Sequence, residues 1–193
     1  MKIVIVSGGF DPLHSGHIDY IKSAKAFGDK LILALNSDQW LINKKGSFFM
    51  PFVERKAILN QLSCIDDVIS FDDDDTGSAI NALRKIKKLY PNDKIAFANG
   101  GDRTKDNIPE MSLEGVEFLF NVGGKDKKNS SSWILKKWKY YHEKRLWGSF
   151  YNLFEDDHVK VKELIIQPGK AMGFQRHFKR HEIWMVSKGA SVV

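Results

Sequence analysis

The sequence predicts an α/β protein with a doubly wound parallel sheet, followed by a short all-β segment. Apolar runs such as "KIVIVS" at 2–7 and "KLILALN" at 30–36 are continuous, as in strands that are buried on both faces. Segments with helical spacing of apolar residues separate these runs, and this alternation favours a parallel sheet. After Trp147 the helical spacing stops. We therefore expect an α/β domain over 1–145 and a partial β domain over 146–193.

The predicted elements alternate regularly along the first domain. Strands are expected at 2–7, 30–36, 67–71, 94–99 and 116–121. Helices are expected at about 16–27, 53–62, 79–90 and 131–143. Sheets of this kind bind their ligands at the carboxyl ends of the strands. The residues that directly follow each strand are therefore the first place to look for a site.

Charge and cysteine content narrow the class of function. The chain has 193 residues and a formal net charge of +6. The whole excess lies between Lys125 and Arg145, which favours an anionic ligand at one place over a generally cationic surface. Cys64 is the single cysteine, which excludes an internal disulfide and a cysteine-based metal cluster. No stretch approaches membrane-spanning length, so we expect a cytoplasmic protein without a membrane partner.

A glycine-rich turn with two histidines follows the first predicted strand, in "GGFDPLHSGH" from Gly8 to His17. Gly8 and Gly9 allow backbone amides to approach a phosphate closely. A helix that begins near Gly16 directs its unpaired N–H groups and its positive dipole end to the same place. His14 and His17 add imidazole donors that can stabilise charge developing on a phosphate. The pattern predicts a polyphosphate site with phosphate chemistry.

These residues resemble the cytidylyltransferase-like nucleotidyltransferase family, which includes glycerol-3-phosphate cytidylyltransferase and the nucleotidyl-transferring domain of ADP-heptose synthase. The resemblance covers about 1–140. Its matched blocks are "GFDPLHSGH" at 9–17, "AKAFGDKLILALNSD" at 24–38, "ERKAIL" at 54–59, "ANGGDR" at 98–103 and "NSSSWI" at 129–134. It implies a Rossmann-like fold and the transfer of a nucleoside monophosphate from a triphosphate to a phosphorylated alcohol or sugar phosphate. Pyrophosphate leaves, with Mg²⁺ as the cofactor, CTP as the expected donor and ATP as the alternative.

The resemblance also implies roles for individual residues. Catalytic roles fall to His14, His17, Lys44 and Ser131, with Lys45 beside Lys44 in a loop. Nucleotide-binding roles fall to Gly8, Gly9, Phe10, Asp11, Gly16, Arg55, Gly101, Asp102, Lys125 and Ser130. Asp11 is a candidate Mg²⁺ ligand, although a turn with Pro12 explains it equally well. In "GGKDKK", Lys125, Lys127 or Lys128 stands in for an arginine of the family, without its guanidinium fork.

The tail resembles the cupin domain of type II mannose-6-phosphate isomerases, through "WGSF", "VKVKELIIQPGKAM" and "QRHFKRHEIW". The resemblance implies a metal site at Gln175, His177 and Glu182, but Lys179 stands where the family has a second histidine. A jelly roll needs about eight strands, and the tail has room for about half of them. We therefore expect that the chain continues past Val193 or that the protein is a homo-oligomer whose copies complete the roll.

Two other functions compete with the enzyme. The basic, aromatic segment "SSSWILKKWKYYHEKRLW" has the composition of a module that binds single-stranded nucleic acid. Ile134, Trp138 and Tyr141 fall on one stripe at helical spacing, which is better explained by packing on the sheet. We therefore do not expect nucleic acid as a partner. Sugar-phosphate isomerisation by the tail is the third possibility, and the incomplete ligand set argues against it.

Overall fold

The computed structural model describes residues 1–101, 103–104, 107–124 and 129–190. Two compact units divide the chain, Met1–Trp138 and Lys139–Val193. The boundary predicted from the sequence, at 145, lies further along the chain than the one in the structure, because the sequence predicts that the last helix runs to 143. That prediction is wrong: the last helix ends at Lys139, and Tyr141–Arg145 is a strand of the second unit.

The first unit contains a parallel five-stranded sheet, which confirms the predicted fold class. The strands are β1 (Lys2–Gly8), β2 (Lys30–Leu35), β3 (Asp67–Ser70), β4 (Lys94–Ala98) and β5 (Val116–Leu119). The helices are α1 (Ser15–Lys25), α2 (Asp38–Lys45), α3 (Phe52–Leu59), α4 (Ile80–Leu89) and α5 (Ser131–Lys139). The strand order is β3-β2-β1-β4-β5, so the chain changes direction across the sheet at β1. The carboxyl end of β1 is therefore the topological switch point, where such sheets bind ligands.

Helix α2 occupies a segment for which the sequence predicts a loop around Lys44 and Lys45. Ser37 caps its first turn, since the hydroxyl accepts a hydrogen bond from the backbone N–H of Trp40 at 2.9 Å. Gly46 ends it in the left-handed conformation, with φ at +84°. Both lysines thus lie in a helical last turn, close to the end of β2.

Two apolar cores cover the two faces of the sheet. Alternate residues of β1 point to opposite faces: Val4 and Val6 pack with α1, whereas Ile3 and Ile5 pack with α4. Residues 3–6 of β1 and 31–35 of β2 are almost fully buried on both faces of the sheet, which explains why these stretches of sequence are continuously apolar. Helices α1 and α4 therefore lie on opposite faces, and each begins at the carboxyl edge of the sheet.

The second unit contains an antiparallel sheet in the order β6-β7-β8. Its strands are β6 (Tyr141–Arg145), β7 (Gly148–Glu155) and β8 (Lys160–Ile166). The described residues from 167 to 190 contain no further strand or helix, and Phe174 and Ile183 among them are fully exposed. The all-β prediction for the tail is confirmed in these three strands.

Within the described ranges, no helix combines the length and apolar character needed to span a bilayer.

Tyr20 provides a test of how α1 is fastened to the sheet. Its hydroxyl donates to the carbonyl oxygen of Ala98 at 2.6 Å, at the carboxyl end of β4. Burial raises the pKa of the Tyr20 phenol. Tyr20→Phe removes this donor and should lower the free energy of unfolding by about 1–2 kcal/mol in urea titrations.

The matched control is Tyr90→Phe. The Tyr90 hydroxyl accepts from the side chain of Lys30 at 2.7 Å. We expect a change within about 0.5 kcal/mol. Equal losses in the two variants would contradict the fastening role of Tyr20.

Candidate functional site

A cleft of about 220 Å³ opens at the carboxyl edge of the parallel sheet, at the switch point. Its lining comes from the first unit: the ends of β1 and β2, helix α2, the loop before α4, the β4–β5 connection and the starts of α1 and α5. Its lining residues are Ser7, Gly8, Gly9, Phe10, His17, Asn36, Trp40, Leu41, Lys44, Lys45, Gly77, Ala79, Arg103, Glu110 and Ser131. Seven of the predicted site residues are therefore in it: Gly8, Gly9, Phe10, His17, Lys44, Lys45 and Ser131.

The turn after β1 approaches the cleft with its backbone because side chains are excluded there. A Cβ at Gly9 would lie 2.7 Å from Cδ2 of Leu41, and one at Gly8 would lie 3.1 Å from the ring of Phe10. Phe10 itself has φ at +48°, a conformation that non-glycine residues rarely adopt. Its buried ring meets the edge of the His17 ring with the centroids 4.9 Å apart.

The two histidines have different positions. His14 is the N-cap of α1, and its Nδ1 accepts from the backbone N–H of His17 at 3.3 Å. The two rings stack with their centroids 3.7 Å apart. A Cβ at Gly16 would lie 3.2 Å from Cε1 of His14, so glycine leaves room for this ring. His17 lines the cleft, and the His14 ring stacks against it.

Burial keeps His17 neutral at physiological pH. Desolvation lowers the pKa of His17 to about 3, and the electrostatic influence of His14 and Lys45 lowers it further. Its buried Nδ1 has no hydrogen-bond partner among the described residues. A neutral imidazole carries one donor and one acceptor nitrogen. The ring therefore has hydrogen-bonding capacity left for a ligand in the cleft.

Lysines and a serine complete the part of the cleft suited to anions. Nζ of Lys44 lies 4.3 Å from the ring centre of Trp40, while Nζ of Lys45 donates to the carbonyl oxygen of Asp11 at 3.2 Å. Burial lowers the pKa of Lys45. Ser131 is the first residue of α5, and its hydroxyl donates to the carbonyl oxygen of Pro12 at 3.0 Å. This bond holds the start of α5 against the turn after β1.

Two regions of the chain match known protein families. Residues 5–140 match the family model described as cytidylyltransferase-like. The chain belongs to the cytidylyltransferase-like family. This confirms the family predicted from the motifs. Residues 135–193 match a second model, mannose-6-phosphate isomerase C-terminal, as the tail motifs predict.

Curated relatives of the cytidylyltransferase-like domain are bifunctional proteins. The chain is 37% identical over 142 residues to Bifunctional protein HldE of Geobacter metallireducens, with 70% of this chain and 27% of the relative covered. It is 38% identical over 140 residues to the protein of the same name from Erwinia tasmaniensis, with 65% and 29% covered. The chain thus spans about a quarter of the length of these relatives. The family and the relatives indicate a nucleotidyltransferase.

Solved structures share the fold. A lipopolysaccharide core biosynthesis protein from Thermoplasma volcanium superposes with a TM-score of 0.51 at 23% identity, over 65% of this chain and 99% of that one. A bifunctional NMN adenylyltransferase/ADP ribose pyrophosphatase from Francisella tularensis superposes with a TM-score of 0.53 at 20% identity, over 72% and 41%. At these identities the likeness establishes the fold.

Arg55 differs from its predicted nucleotide-binding role. Its side chain is fully buried and does not line the cleft of the cytidylyltransferase-like domain. The guanidinium donates to the carbonyl oxygens of Gly9 at 2.7 Å, Asn36 at 2.9 Å and Met50 at 3.0 Å, and to Asp38 at 2.6 Å. Arg55 therefore positions the backbone around the cleft from inside the protein.

Asp11 differs from its predicted Mg²⁺ role for a similar reason. The carboxylate is buried, and its two oxygens accept from the backbone N–H groups of Phe49 and Met50, both at 2.8 Å. It holds the segment before α3. Among the described residues, no three His, Cys, Asp or Glu side chains lie close enough together to bind a metal ion.

The metal site predicted in the tail is not assembled either. Nε2 of His177 lies 3.2 Å from Glu182, but Nη2 of Arg180 lies 2.7 Å from the same nitrogen and 2.8 Å from the same carboxylate. A guanidinium so close to both side chains disfavours a cation between them. Gln175 is exposed.

Ser130 and Gly101, two further predicted residues, do not line the cleft. Ser130 directly precedes α5, and its carbonyl oxygen accepts from the backbone N–H of Ile134 at 3.1 Å. Gly101 is exposed with φ at +65°. The predictions for Asp102 and for Lys125, Lys127 and Lys128 lie outside the described residues.

Sequence reasoning missed Asn36, Trp40, Arg103 and Glu110 as lining residues of the cleft. Asn36 directly follows β2, so the rule that ligands bind where parallel strands end was enough to find it. Predicting Trp40 requires predicting helix α2, and the N-cap residue Ser37 is the sequence signal for that helix. Glu110 has no sequence signal, because a short 3₁₀ helix (Pro109–Ser112) brings it back to the cleft from the β4–β5 connection.

Arg55→Lys tests the positioning role. A lysine ammonium is a point charge and cannot reproduce the directed donors that reach these backbone carbonyls. We expect the free energy of unfolding to fall by about 3 kcal/mol or more, measured in urea. Arg84→Lys, on the exposed side of α4, should change it by less than about 0.5 kcal/mol. Equal stability of the two variants would exclude the role.

The neutral state of His17 predicts a pH dependence of stability. The unfolded chain binds a proton at His17 below about pH 6.5, whereas the folded protein does so only near pH 3. The unfolded state therefore binds more protons in that window, and stability falls as the pH falls. Between pH 7 and pH 5 this linkage should cost the wild type roughly 2 kcal/mol.

The variant His17→Gln lacks that loss. Its free energy of unfolding relative to the wild type should therefore rise by the same amount on going from pH 7 to pH 5, because the other titrating groups cancel in the difference. Urea titrations at several pH values measure it. A difference that does not change with pH would show that the folded protein protonates His17 as readily as the unfolded chain.

Proposed function

We propose that this chain transfers a nucleoside monophosphate from a nucleoside triphosphate to a phosphorylated alcohol or sugar phosphate, with release of pyrophosphate. The observation that carries the proposal is the neutral, half-buried His17 ring, which lines the cleft at the start of α1, beside the bare glycine backbone of the turn after β1. Backbone N–H groups, a helix N-terminus and an imidazole then converge on one place. This is a site for a polyphosphate.

Each group has a distinct part in the proposed reaction. The turn after β1 and the start of α1 bind the triphosphate, and His17 donates a hydrogen bond to an α-phosphate oxygen on which negative charge grows in the transition state. Lys44 and Lys45 neutralise phosphate charge at the cleft wall. The acceptor phosphate attacks the α-phosphorus in line, and the bond to pyrophosphate breaks. Positioning and charge stabilisation are sufficient for such a step without a covalent enzyme intermediate.

Mg²⁺ enters this proposal as part of the substrate. The described residues lack a carboxylate cluster for a resident ion, and both oxygens of Asp11 are engaged by backbone amides. Triphosphate oxygens bind Mg²⁺ by themselves in solution and need few protein ligands. A magnesium–triphosphate complex is therefore the proposed donor.

The proposed donor is CTP, in keeping with the family, and ATP is the second candidate. The resemblance to the ADP-heptose synthase domain supports ATP, and the relatives named HldE share more than a third of their aligned residues with this chain. The tail match to the mannose-6-phosphate isomerase C-terminal model is consistent with a sugar phosphate as acceptor. A homo-oligomer stays a prediction.

The direct test measures pyrophosphate release from four triphosphates against a panel of phosphorylated acceptors, including glycerol 3-phosphate and sugar 1-phosphates. We expect release with CTP or ATP and only in the presence of an acceptor. His17→Ala should lower kcat by at least ~10²-fold, because the lost donor acts on transition-state charge.

The control is His158→Ala, which changes an exposed histidine of the second unit and should keep wild-type turnover. Circular dichroism of both variants checks that the fold is kept. Wild-type turnover in His17→Ala would remove the catalytic role. Salt-sensitive RNA binding, with no pyrophosphate released from any pair, would favour the nucleic-acid-binding module instead.

A further inference from the structure

Glu110 is a buried carboxylate in the cleft that the proposed reaction does not use. It lies in the 3₁₀ helix between β4 and β5, is only 5% exposed and lines the cleft. Buried carboxylates are rare in proteins unless their oxygens are paired. Its position in a site for phosphates, which it would repel, therefore needs an explanation.

Only one oxygen of Glu110 has a partner in the described part of the chain. Oε1 accepts from the backbone N–H of Ala79 at 2.6 Å, where Ala79 is the N-cap of α4. Oε2 is buried without a hydrogen-bond partner among the described residues. The first bond fixes the carboxyl group against the start of α4. The second oxygen retains its capacity to accept from a ligand.

The carboxylate lies on the wall opposite His17, one of the proposed phosphate-binding groups. Helix α1, which carries His17, covers one face of the sheet, whereas α4, which holds Glu110 at its start, covers the other. Trp40 belongs to the same wall as Glu110, because its indole N–H donates to the carbonyl of Gly77 at 2.9 Å, two residues before Ala79. The ammonium of Lys44 lies over the Trp40 ring.

We propose that Oε2 of Glu110 accepts a hydrogen bond from a hydroxyl group of the phosphorylated acceptor, and that this contact selects a polyhydroxylated acceptor. The proposal rests on the proposed function. A carboxylate rejects phosphate oxygens but binds O–H donors, so the acceptor phosphate lies at Lys44 and its hydroxylated carbons face Glu110. A ribose hydroxyl of the triphosphate has the same chemistry, and the experiment separates the two sources.

Glu110→Gln is the informative variant. The amide keeps an oxygen for the N–H of Ala79 and replaces the other oxygen with a donor, so the fold should persist while the contact is lost. Glu114→Gln removes the same charge from an exposed side chain four residues away and is the matched control. Thermal unfolding of both variants checks that α4 stays fastened.

The readout is discrimination between hydroxylated and deoxygenated acceptors. Glycerol 3-phosphate is compared with 3-hydroxypropyl phosphate and propyl phosphate, and glucose 1-phosphate with its deoxy analogues. In the wild type and in Glu114→Gln, kcat/KM should fall ~10–100-fold on loss of the recognised hydroxyl, the range for a hydrogen bond to a charged group. In Glu110→Gln the ratio of kcat/KM for the hydroxylated acceptor to kcat/KM for the deoxygenated one should approach one, while KM for the triphosphate stays unchanged.

Three results would overturn the proposal. One is unaltered discrimination in Glu110→Gln. The second is discrimination that is lost equally in Glu114→Gln. The third is a raised KM for the triphosphate alone, with 2′- and 3′-deoxy triphosphates no longer distinguished, which would assign the contact to the ribose.

Binding of the same acceptors, measured by calorimetry with a triphosphate whose α–β bridge is methylene, requires no turnover. If no acceptor supports turnover but the binding preference for hydroxyls still disappears in Glu110→Gln, the proposed function fails and the contact stands. If turnover occurs and Glu110→Gln prefers hydroxylated acceptors as strongly as Glu114→Gln does, the contact fails and the function stands.

Discussion

The guanidinium of Arg55 is the interaction on which the rest of the site depends. Four directed hydrogen bonds join the turn after β1, the end of β2, the start of α2 and the entry to α3. Backbone carbonyls that converge at the edge of a sheet have few other partners once water is excluded. A single planar cation with donors on three nitrogens satisfies them together. The carboxylate of Asp11 does the equivalent for the amides of Phe49 and Met50.

This buried framework lets the cleft present groups that would otherwise be unfavourable. The backbone of Gly8 and Gly9 is bare, Phe10 has a left-handed backbone, and His17 keeps an unsatisfied nitrogen. Each of these features costs folding free energy and is retained where the surrounding structure holds it in place. The cleft also brings together groups of opposite charge: Lys44 and Lys45 of α2 line it, and so does the Glu110 carboxylate, which is bonded to the start of α4.

The residues of the motif after β1 are enough to predict a phosphate site, but they do not show how its members divide the work. The spacing of His14 and His17 indicates two equivalent donors. In the folded protein His14 caps the helix, and its ring supports that of His17. Asp11 and Arg55 belong to the matched motifs, yet both act on backbone groups rather than on a ligand. A residue can thus belong to a functional motif because it shapes the site.

The amino-acid sequence was sufficient to predict the parallel sheet, its strand positions and the turn that carries the histidines, because these follow from local periodicity and from glycine at a strand end. It was also sufficient for the family, through motifs that are contiguous in the chain. Which side chains face the cleft, and which are buried behind it, is a property of the folded chain. Trp40, Arg103 and Glu110 are brought to the site by α2 and by the β4–β5 connection, whose paths depend on packing between distant segments. Local sequence patterns carry no record of such long-range contacts, so the part of the cleft built from them is defined only by the fold.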